Sequence, residues 1–454
     1  MRKLAALVLA LAFPSLALAS GYALPNTNPR DLGVSASAVA AQNDSGGAFA
    51  LPASLARLSG PSARLSAGGV VLASDWTDPT GAAPDASIDT QLSPIGSVSA
   101  AFGGKLAALG DRGWGVGIGV EPFGGSIVSW PEDWAGRYRI VEVDRKVFSG
   151  VLTAGIEVIP RVRIGGGLVY YYTTEELTQH AWMVPFTSPI NPAQPDAIGS
   201  IDASGGALSY DVSAEVQPLP DLPLTVAIDY KHKATQTLDG DVKWQNLAPG
   251  ALALLQAGNP LAAIFADQGA SQELTIPNVL NVGVAYRVTK PLLVMATYTF
   301  DRWIVYDRDV FKGDNGATIS VQRNYSNGWT LRGGAEYDLA PAWTVRGGLQ
   351  YDHSGLDPKY YSPTLPDATT WAGSLGATWR FSPGFALDAA VFYAWFDEVT
   401  SEDPNPATPG TGLEPGIYPP PTGVVPAPEG TFRGTYNTNA FIFSLGVAWT
   451  PGAK

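Results

Sequence analysis

The chain contains no cysteine and only three histidines. Disulfide staples, common in small exported domains, are therefore excluded, and so are cysteine-based zinc sites. His180 falls on a predicted loop, His232 reads as outward-facing and His353 ends a predicted strand, so no metal is expected. No serine stands on a nucleophile elbow, and no glycine-rich phosphate loop with a lysine leads from a strand into a helix. Neither a catalytic site nor a cofactor is expected. The net charge of −13 argues against a nucleic-acid partner. Long apolar runs are missing too: no stretch past the N-terminus approaches the roughly 20 residues of a membrane-spanning helix.

The N-terminus itself carries an address. Arg2 and Lys3 precede a short apolar run, Leu4 to Leu18, and Ala17-Leu18-Ala19 is a small-x-small cleavage site. This predicts a signal peptide over 1–19 and an exported chain. The chain is rich in glycine and aromatics: 51 Gly, 13 Trp, 18 Tyr and 16 Phe. Export, aromatics and alternating segments without an apolar helix together predict a transmembrane β-barrel.

The alternation is clearest near the C-terminus. Phe441, Phe443, Leu445, Val447 and Trp449 share one face, against Ile442, Ser444, Gly446 and Ala448. Segments 329–338, 343–352 and 207–217 repeat it, apolar on one face and polar or charged on the other. Fourteen such segments are predicted: 62–72, 94–107, 114–130, 138–159, 161–177, 205–217, 222–239, 272–288, 291–307, 326–339, 342–353, 368–381, 384–397 and 438–450. Tight turns such as Pro218-Leu219-Pro220-Asp221 and Ser382-Pro383-Gly384 come after the even-numbered segments. Longer links come after most odd ones: 73–93, 178–204, 240–271, 308–325, 354–367 and 398–437. Short periplasmic turns alternating with long outer loops fit an outer-membrane barrel, apolar outside and polar inside.

Residues 20–61 do not read as a strand; they are either a plug folded inside the barrel 62–454 or a periplasmic tail. In link 240–271, Leu252, Leu255, Leu261, Ile264 and Phe265 recur at helical spacing, broken at Gly258-Asn259-Pro260. That apolar surface either packs on a neighbouring loop or offers a landing place for a greasy ligand. Link 398–437 is Pro- and Gly-rich and reads as extended.

An anionic head group would need an inward cation. Lys231, Lys233, Arg332, Arg346 and Arg380 lie on inward faces, with Lys231 and Lys233 reading as unpaired neighbours. The same faces carry Asp229, Glu215, Glu336, Asp352 and Asp388, so ion pairs within the lumen are the plainer reading for each cation. Phe392 and Phe396 are candidates for a tail pocket, or simply fill space. Pro122-Phe123-Gly124-Gly125 breaks the third segment: Pro cannot donate to a ladder and Gly bends it, as a kink or as an ordinary bulge.

The order of several short motifs resembles the outer-membrane long-chain fatty acid transporters and the related aromatic-hydrocarbon importers. Ser20-Gly21-Tyr22-Ala23-Leu24 looks like that family's mature N-terminus, and Leu51-Pro52-Ala53 stands where it has its Asn-Pro-Ala plug motif. Gly115 to Gly124, then Trp134-Ala135-Gly136-Arg137-Tyr138, is similar to its third strand. Leu274-Thr275-Ile276-Pro277 resembles a strand opening, and Pro366-Asp367 its late loop. The resemblance implies a fourteen-stranded antiparallel barrel with an N-terminal plug. It also implies passive transport of a fatty acid or hydrocarbon: capture on outer loops, an interior pocket, and lateral exit at a kink in strand three. Leu51, Pro52, Ala53, Pro122, Phe123, Gly124, Gly125 and Asp367 would then serve gating. Leu51 replaces the family's Asn, and Thr173-Thr174-Glu175-Glu176 holds acids where some relatives place a base. Outer-membrane lipid and lipopolysaccharide would surround a monomeric barrel. A non-specific porin, an outer-membrane esterase and a surface adhesin are the alternatives.

Overall fold

The computed structural model describes residues 21, 23–25, 27–81, 83–107, 110–183, 186–187, 191, 193–403 and 432–451. The predicted signal peptide and most of link 398–437 lie outside them. Fourteen antiparallel spans form one closed barrel. They are β1 (Pro61–Thr77), β2 (Leu92–Leu106), β3 (Arg112–Ser129), β4 (Glu142–Ile159), β5 (Val162–Ala181), β6 (Ala197–Val216), β7 (Leu224–Lys231, resuming as Ala234–Gln245), β8 (Gln268–Ile276, resuming as Val279–Arg287), β9 (Leu292–Asp301), β10 (Gly328–Ala340), β11 (Trp343–His353), β12 (Thr370–Ser382), β13 (Phe385–Phe396) and β14 (Phe432–Trp449). β1 pairs with β14 from Ala63–Trp449 to Thr77–Thr435, which closes the ring and removes the free edges that lipid would not tolerate.

The faces obey the alternation. Leu331, Leu349 and Leu375 stand outward at 53%, 71% and 67% exposure, while Thr330, Thr344 and Thr370 are buried. Every predicted segment overlaps a span. The outer ends run further than expected: Thr178, Gln179 and His180 pair with Ser200, Gly199 and Ile198, so β5 and β6 consume much of link 178–204. Above the lipid the strands need no apolar face, and hydropathy stops reporting them. Likewise Val399–Asp403 pairs with Phe432–Tyr436 as strand, not extended loop. Link 240–271 carries the two predicted helical pieces, Pro249–Gln256 and a 3-10 turn at Pro260–Phe265.

Residues 27–58 fold into four short helical turns lying inside the ring. The first, α1 (Pro29–Leu32), is capped by the Asn28 side chain, which accepts from Arg30 N–H. Leu32, Val34, Leu51, Ala53 and Leu55 are fully buried. Polar residues on the wall take up the segment's backbone groups: Ala53 N donates to Ser213 Oγ (2.9 Å), and Thr297 Oγ1 donates to Ser37 O (2.9 Å). At Gly155 and Gly165 the wall lies so close to Pro52 and Ala53 that a Cβ would collide with their backbone, and Gly348 meets Val34 in the same way. Replacing Gly155 by Val is expected to unseat Pro52–Ala53 while the barrel still closes. Protease cleavage within 27–58, monitored on folded protein, should then rise severalfold over wild type.

Candidate functional site

The third span departs from a regular ladder. Its pairing with β2 runs from Leu106–Arg112 to Val98–Val120 and ends there. Its pairing with β4 continues to Ser129–Glu142, shifting register between Pro122 and Gly124, so Phe123 is an extra residue with no opposite number. Gly125 adopts φ 154°, a backbone that suits only glycine. The outer half of β3 thus stays joined to β4 but leaves β2, and it leans inward. Ser126 Oγ donates to Thr364 O (2.7 Å) and Trp130 Nε1 to Pro363 O (3.3 Å), both on the link after β11. Leu24 N donates to Phe123 O (2.9 Å), and Ala23 bridges Gly124. The chain's first described residues therefore act as a stub of strand at the place β2 has vacated.

Directly behind this break is a cavity of about 160 Å³, lined by Pro122, Phe123, Val151, Tyr171, Trp303 and residues of the N-terminal segment, including Phe49 and Val39. Its charged lining is Asp31, Glu121, Lys231, Asp301, Arg332 and Asp352. A second cavity, about 130 Å³, opens on the outer side between Ile140, Val143, Leu177, Trp244, Ile264 and Phe311. β4 runs past both: Val143 and Arg145 face the outer one, Ser149 and Val151 the inner. Between them lies a polar belt. Arg145 pairs with Glu175 and reaches Tyr306 OH (3.4 Å). That hydroxyl donates to Asp309 (3.1 Å), which also takes Arg323 Nε (2.7 Å).

The candidate cations fare differently from one another. Lys231 lines the inner cavity, but it is not unpaired: its ammonium sits 2.7 Å from Asp229 and 3.1 Å from Asp211. Lys233 is exposed and does not share its face. The strand breaks between Lys231 and Ala234, opposite the break at Pro277 in β8, and the alternation slips there. Arg332 also lines the inner cavity, donating to Gln350 (3.0 Å) and Thr299 (2.5 Å). Arg346 is committed to Glu336 (3.0 Å) and Asp388 (3.5 Å), and Arg380 is half-exposed near the periplasmic turn with Asp338 (3.8 Å).

Among the apolar candidates, Ile264 lines the outer groove. Phe265 is buried edge-on against Trp244 and Phe186, so this helical piece packs on its neighbour. Leu252 is exposed, Leu255 is half-buried, and the side chain of Leu261 lies outside the described residues. Phe392 and Phe396 point inward but pack in a buried cluster with Leu32, Leu72 and Tyr361, and they line neither cavity. Among the described residues no carboxylate or histidine cluster is arranged to hold a metal. Glu121, Tyr171 and Trp303 join the site without having been expected there. Only the first carried a signal, as the acid beside Pro122.

Asp367 ties these parts together. Fully buried, it accepts from Gly21 N (3.1 Å) and Ser354 Oγ (2.8 Å). Burial, reinforced by Asp352 and opposed by the Ser354, Gly21 and Tyr325 donors, pushes its pKa up to about 7. The packed link after β11 therefore keeps a proton on Asp367 that an exposed carboxyl releases near pH 4 (about the ordinary value). Its packing is favoured at low pH and weakens as pH rises to about 7. Proteolysis within that link should accelerate severalfold between about pH 5 and pH 8, and Asp367→Asn should flatten that profile.

The model of the outer membrane protein transport protein family (OMPP1/FadL/TodX) matches residues 10–450. A Pseudomonas aeruginosa FadL homologue shares the fold with TM-score 0.80 and 20% identity, over 95% of this chain and 99% of that one. The toluene transporter TodX of Pseudomonas putida gives TM-score 0.63 at 11% identity, over 90% and 94%. The toluene transporter TbuX of Ralstonia pickettii gives 0.60 at 15%, over 93% and 99%. No protein of curated function matches in sequence. This closed barrel, interrupted at its third span, is an outer-membrane transport protein and belongs to the OMPP1/FadL/TodX family.

Proposed function

We propose that the chain carries long-chain fatty acids or similar hydrophobic small molecules passively across the outer membrane. The ligand is caught in the outer groove and moves past the polar belt into the inner cavity. It then leaves sideways through the break between β2 and β3 into the outer leaflet. The observation that carries this reading is that Pro122 and Phe123, the residues of the broken ladder, are also walls of the inner cavity. A greasy chain gains about 0.8 kcal/mol per buried CH₂, so a route that never returns it to water is favourable and an aqueous pore is not. Residues 20–61 act as the plug in this scheme, closing the periplasmic path and gating through Leu51, Pro52, Ala53 and Asp367.

Aromatic hydrocarbons are the second reading, favoured by the aromatic lining at Phe49, Phe123, Tyr171 and Trp303 and by the likeness to the toluene transporters TodX and TbuX. Uptake of a labelled long-chain fatty acid is to be compared in cells with and without the protein, with toluene as competitor. Protein-dependent uptake that toluene leaves intact supports the fatty acid; uptake that toluene abolishes supports the hydrocarbon. No protein-dependent uptake of either refutes the transport reading.

A further inference from the structure

We infer that Trp130 and Trp134 are positioning residues of the lateral exit, an aromatic anchor that holds the outer half of β3 away from β2. The inference rests on the transport reading and adds to it what keeps the exit from closing. The gap is a framed window. Below, β2 and β3 part after Val98–Val120. Above, Asp89 N donates to Ser129 O (2.8 Å), so the two sides meet again. Between those rungs, among the described residues, Leu92–Ser97 of β2 pair with β1 alone. The stub at Ala23 and Leu24 meets only Gly124 and Phe123 on the other side. An unpaired strand edge is costly where lipid faces it, so two such edges side by side would gain by zipping together. Phe123 and Gly125 allow β3 to bend, but they do not keep it bent.

The restraint is at the strand's tip. Trp130 is fully buried and stacks on Trp134, ring centroids 4.3 Å apart. Trp134 stands edge-on to Trp76 of β1 (5.9 Å) and to Phe432 of β14 (5.7 Å), and those two rings stack on each other (5.4 Å). Trp130 also meets Tyr436 of β14 edge-on (6.3 Å). The tip of β3 is thus fastened to β1 and β14, on the far side of β2. Ile95 of β2 belongs to the same buried cluster, which places the anchor behind β2 on the lumen side. Both indole N–H groups are met, by Pro363 O (3.3 Å) and Ile140 O (2.9 Å), so the bent position strands no donor. Zipping β3 onto β2 would draw Trp130 out of this cluster and forfeit its stacking and burial.

The chain has no cysteine, so an introduced pair reports on the window alone. Continued past the extra residue Phe123, the Val98–Val120 register sets Ser93 opposite Ser126. The bend carries Ser126 to Thr364 instead (2.7 Å). Full-length protein with Ser93→Cys and Ser126→Cys is oxidised in detergent with copper phenanthroline, and little cross-linking is expected in this parent. Trp130→Ala should raise the cross-linked fraction about fivefold or more, and Trp134→Ala, a second site in case the first misfolds, should raise it too. Trp130→Phe, which keeps a stacked ring, should stay near the parent. In cells, Trp130→Ala without the cysteines should cut hydrophobic uptake severalfold, while binding of the neutral probe N-phenyl-1-naphthylamine in detergent is kept. Cross-linking that neither alanine variant raises overturns the inference, and so does a rise as large with Trp130→Phe as with Trp130→Ala. Cross-linking that rises while uptake stays at wild type upholds the anchor and refutes exit through this window.

Discussion

Deleting Phe123 should cut uptake of a hydrophobic substrate about tenfold or more while the barrel remains closed, because it restores the ladder that lateral exit needs broken. Phe123 is the one residue by which β3 exceeds β4: Pro122 pairs with Phe148 and Gly124 with Val147. Removing it joins those two pairs in register without turning any other side chain to the wrong face. The straightened strand can then continue its pairing with β2 beyond Val120, and the wall behind the inner cavity fills. Binding of ligand in detergent should survive, because most of the cavity lining comes from other elements. Uptake in cells, measured beside binding on the same variant, separates the two. Normal uptake with Phe123 deleted would mean that ligand does not leave by this gap. Pro122→Thr in addition should deepen the loss, since it returns the missing donor to the strand.

The second large effect concerns Glu336, whose carboxylate is shared by Arg30 of the N-terminal segment (3.1 Å) and Arg346 of the wall (3.0 Å). All three side chains are nearly buried. Glu336→Ala leaves two guanidinium groups facing each other without their shared counter-charge, and losing one partner of a buried pair costs about 3–5 kcal/mol. The barrel's ladders do not depend on this contact, so the cost falls on the docking of residues 27–58. The neighbouring tie, Arg64 to Asp44 (2.7 Å) and Asp388 (2.9 Å), remains to hold part of the segment. Ion conductance across planar bilayers should rise well above wild type. Protease cuts should appear within 27–58, with heat-modifiable gel mobility unchanged. Wild-type conductance and protection would show that this tie does not hold the segment. Arg346→Met in the Glu336→Ala background should recover much of the loss, because it removes one of two like charges left with only their longer contacts, Arg30–Asp44 (3.9 Å) and Arg346–Asp388 (3.5 Å).

The strands were legible because a lipid-facing barrel prints its period directly onto the sequence. Leu331, Leu349 and Trp449 had to be apolar, and Thr330 and Thr344 did not. The signal fades where the environment stops enforcing it, as at Thr178 to His180, half-buried on both faces, where polar residues serve as well as apolar ones and backbone pairing extends the strand. The site was legible in part. Pro122-Phe123-Gly124-Gly125 announced a break through proline and glycine chemistry, and Lys231 and Arg332 were placed inward by parity. Parity could not tell whether a cation was already occupied. That depends on Asp211 and Asp229, brought together by β6 and β7 pairing, and on Asp301 and Asp352, contributed by β9 and β11. Lys233 shows the other limit: one interruption opposite Pro277 resets the period, and counting by twos then assigns the wrong face. The inner cavity draws its walls from β3, β4, β5, β7, β8, β9, β10, β11 and the N-terminal segment, a convergence that no local pattern encodes.

The bare glycines beneath Pro52, Ala53 and Val34 bear on how fast the segment can leave. Packed side chains interlock, and withdrawing one such surface from another means turning many rotamers in concert. At Gly155, Gly165 and Gly348 backbone rests on backbone, with no knob and no hole. The segment therefore sits on a polished bearing, fastened at a few charged points such as Arg30–Glu336 and Arg57–Glu215. In the gating proposed above, the barrier to displacement would then lie in those ion pairs, in wall hydrogen bonds such as Ala53–Ser213 and Thr297–Ser37, and in the buried side chains of Leu51 and Leu55, while the glycine contacts mainly determine where the segment comes to rest.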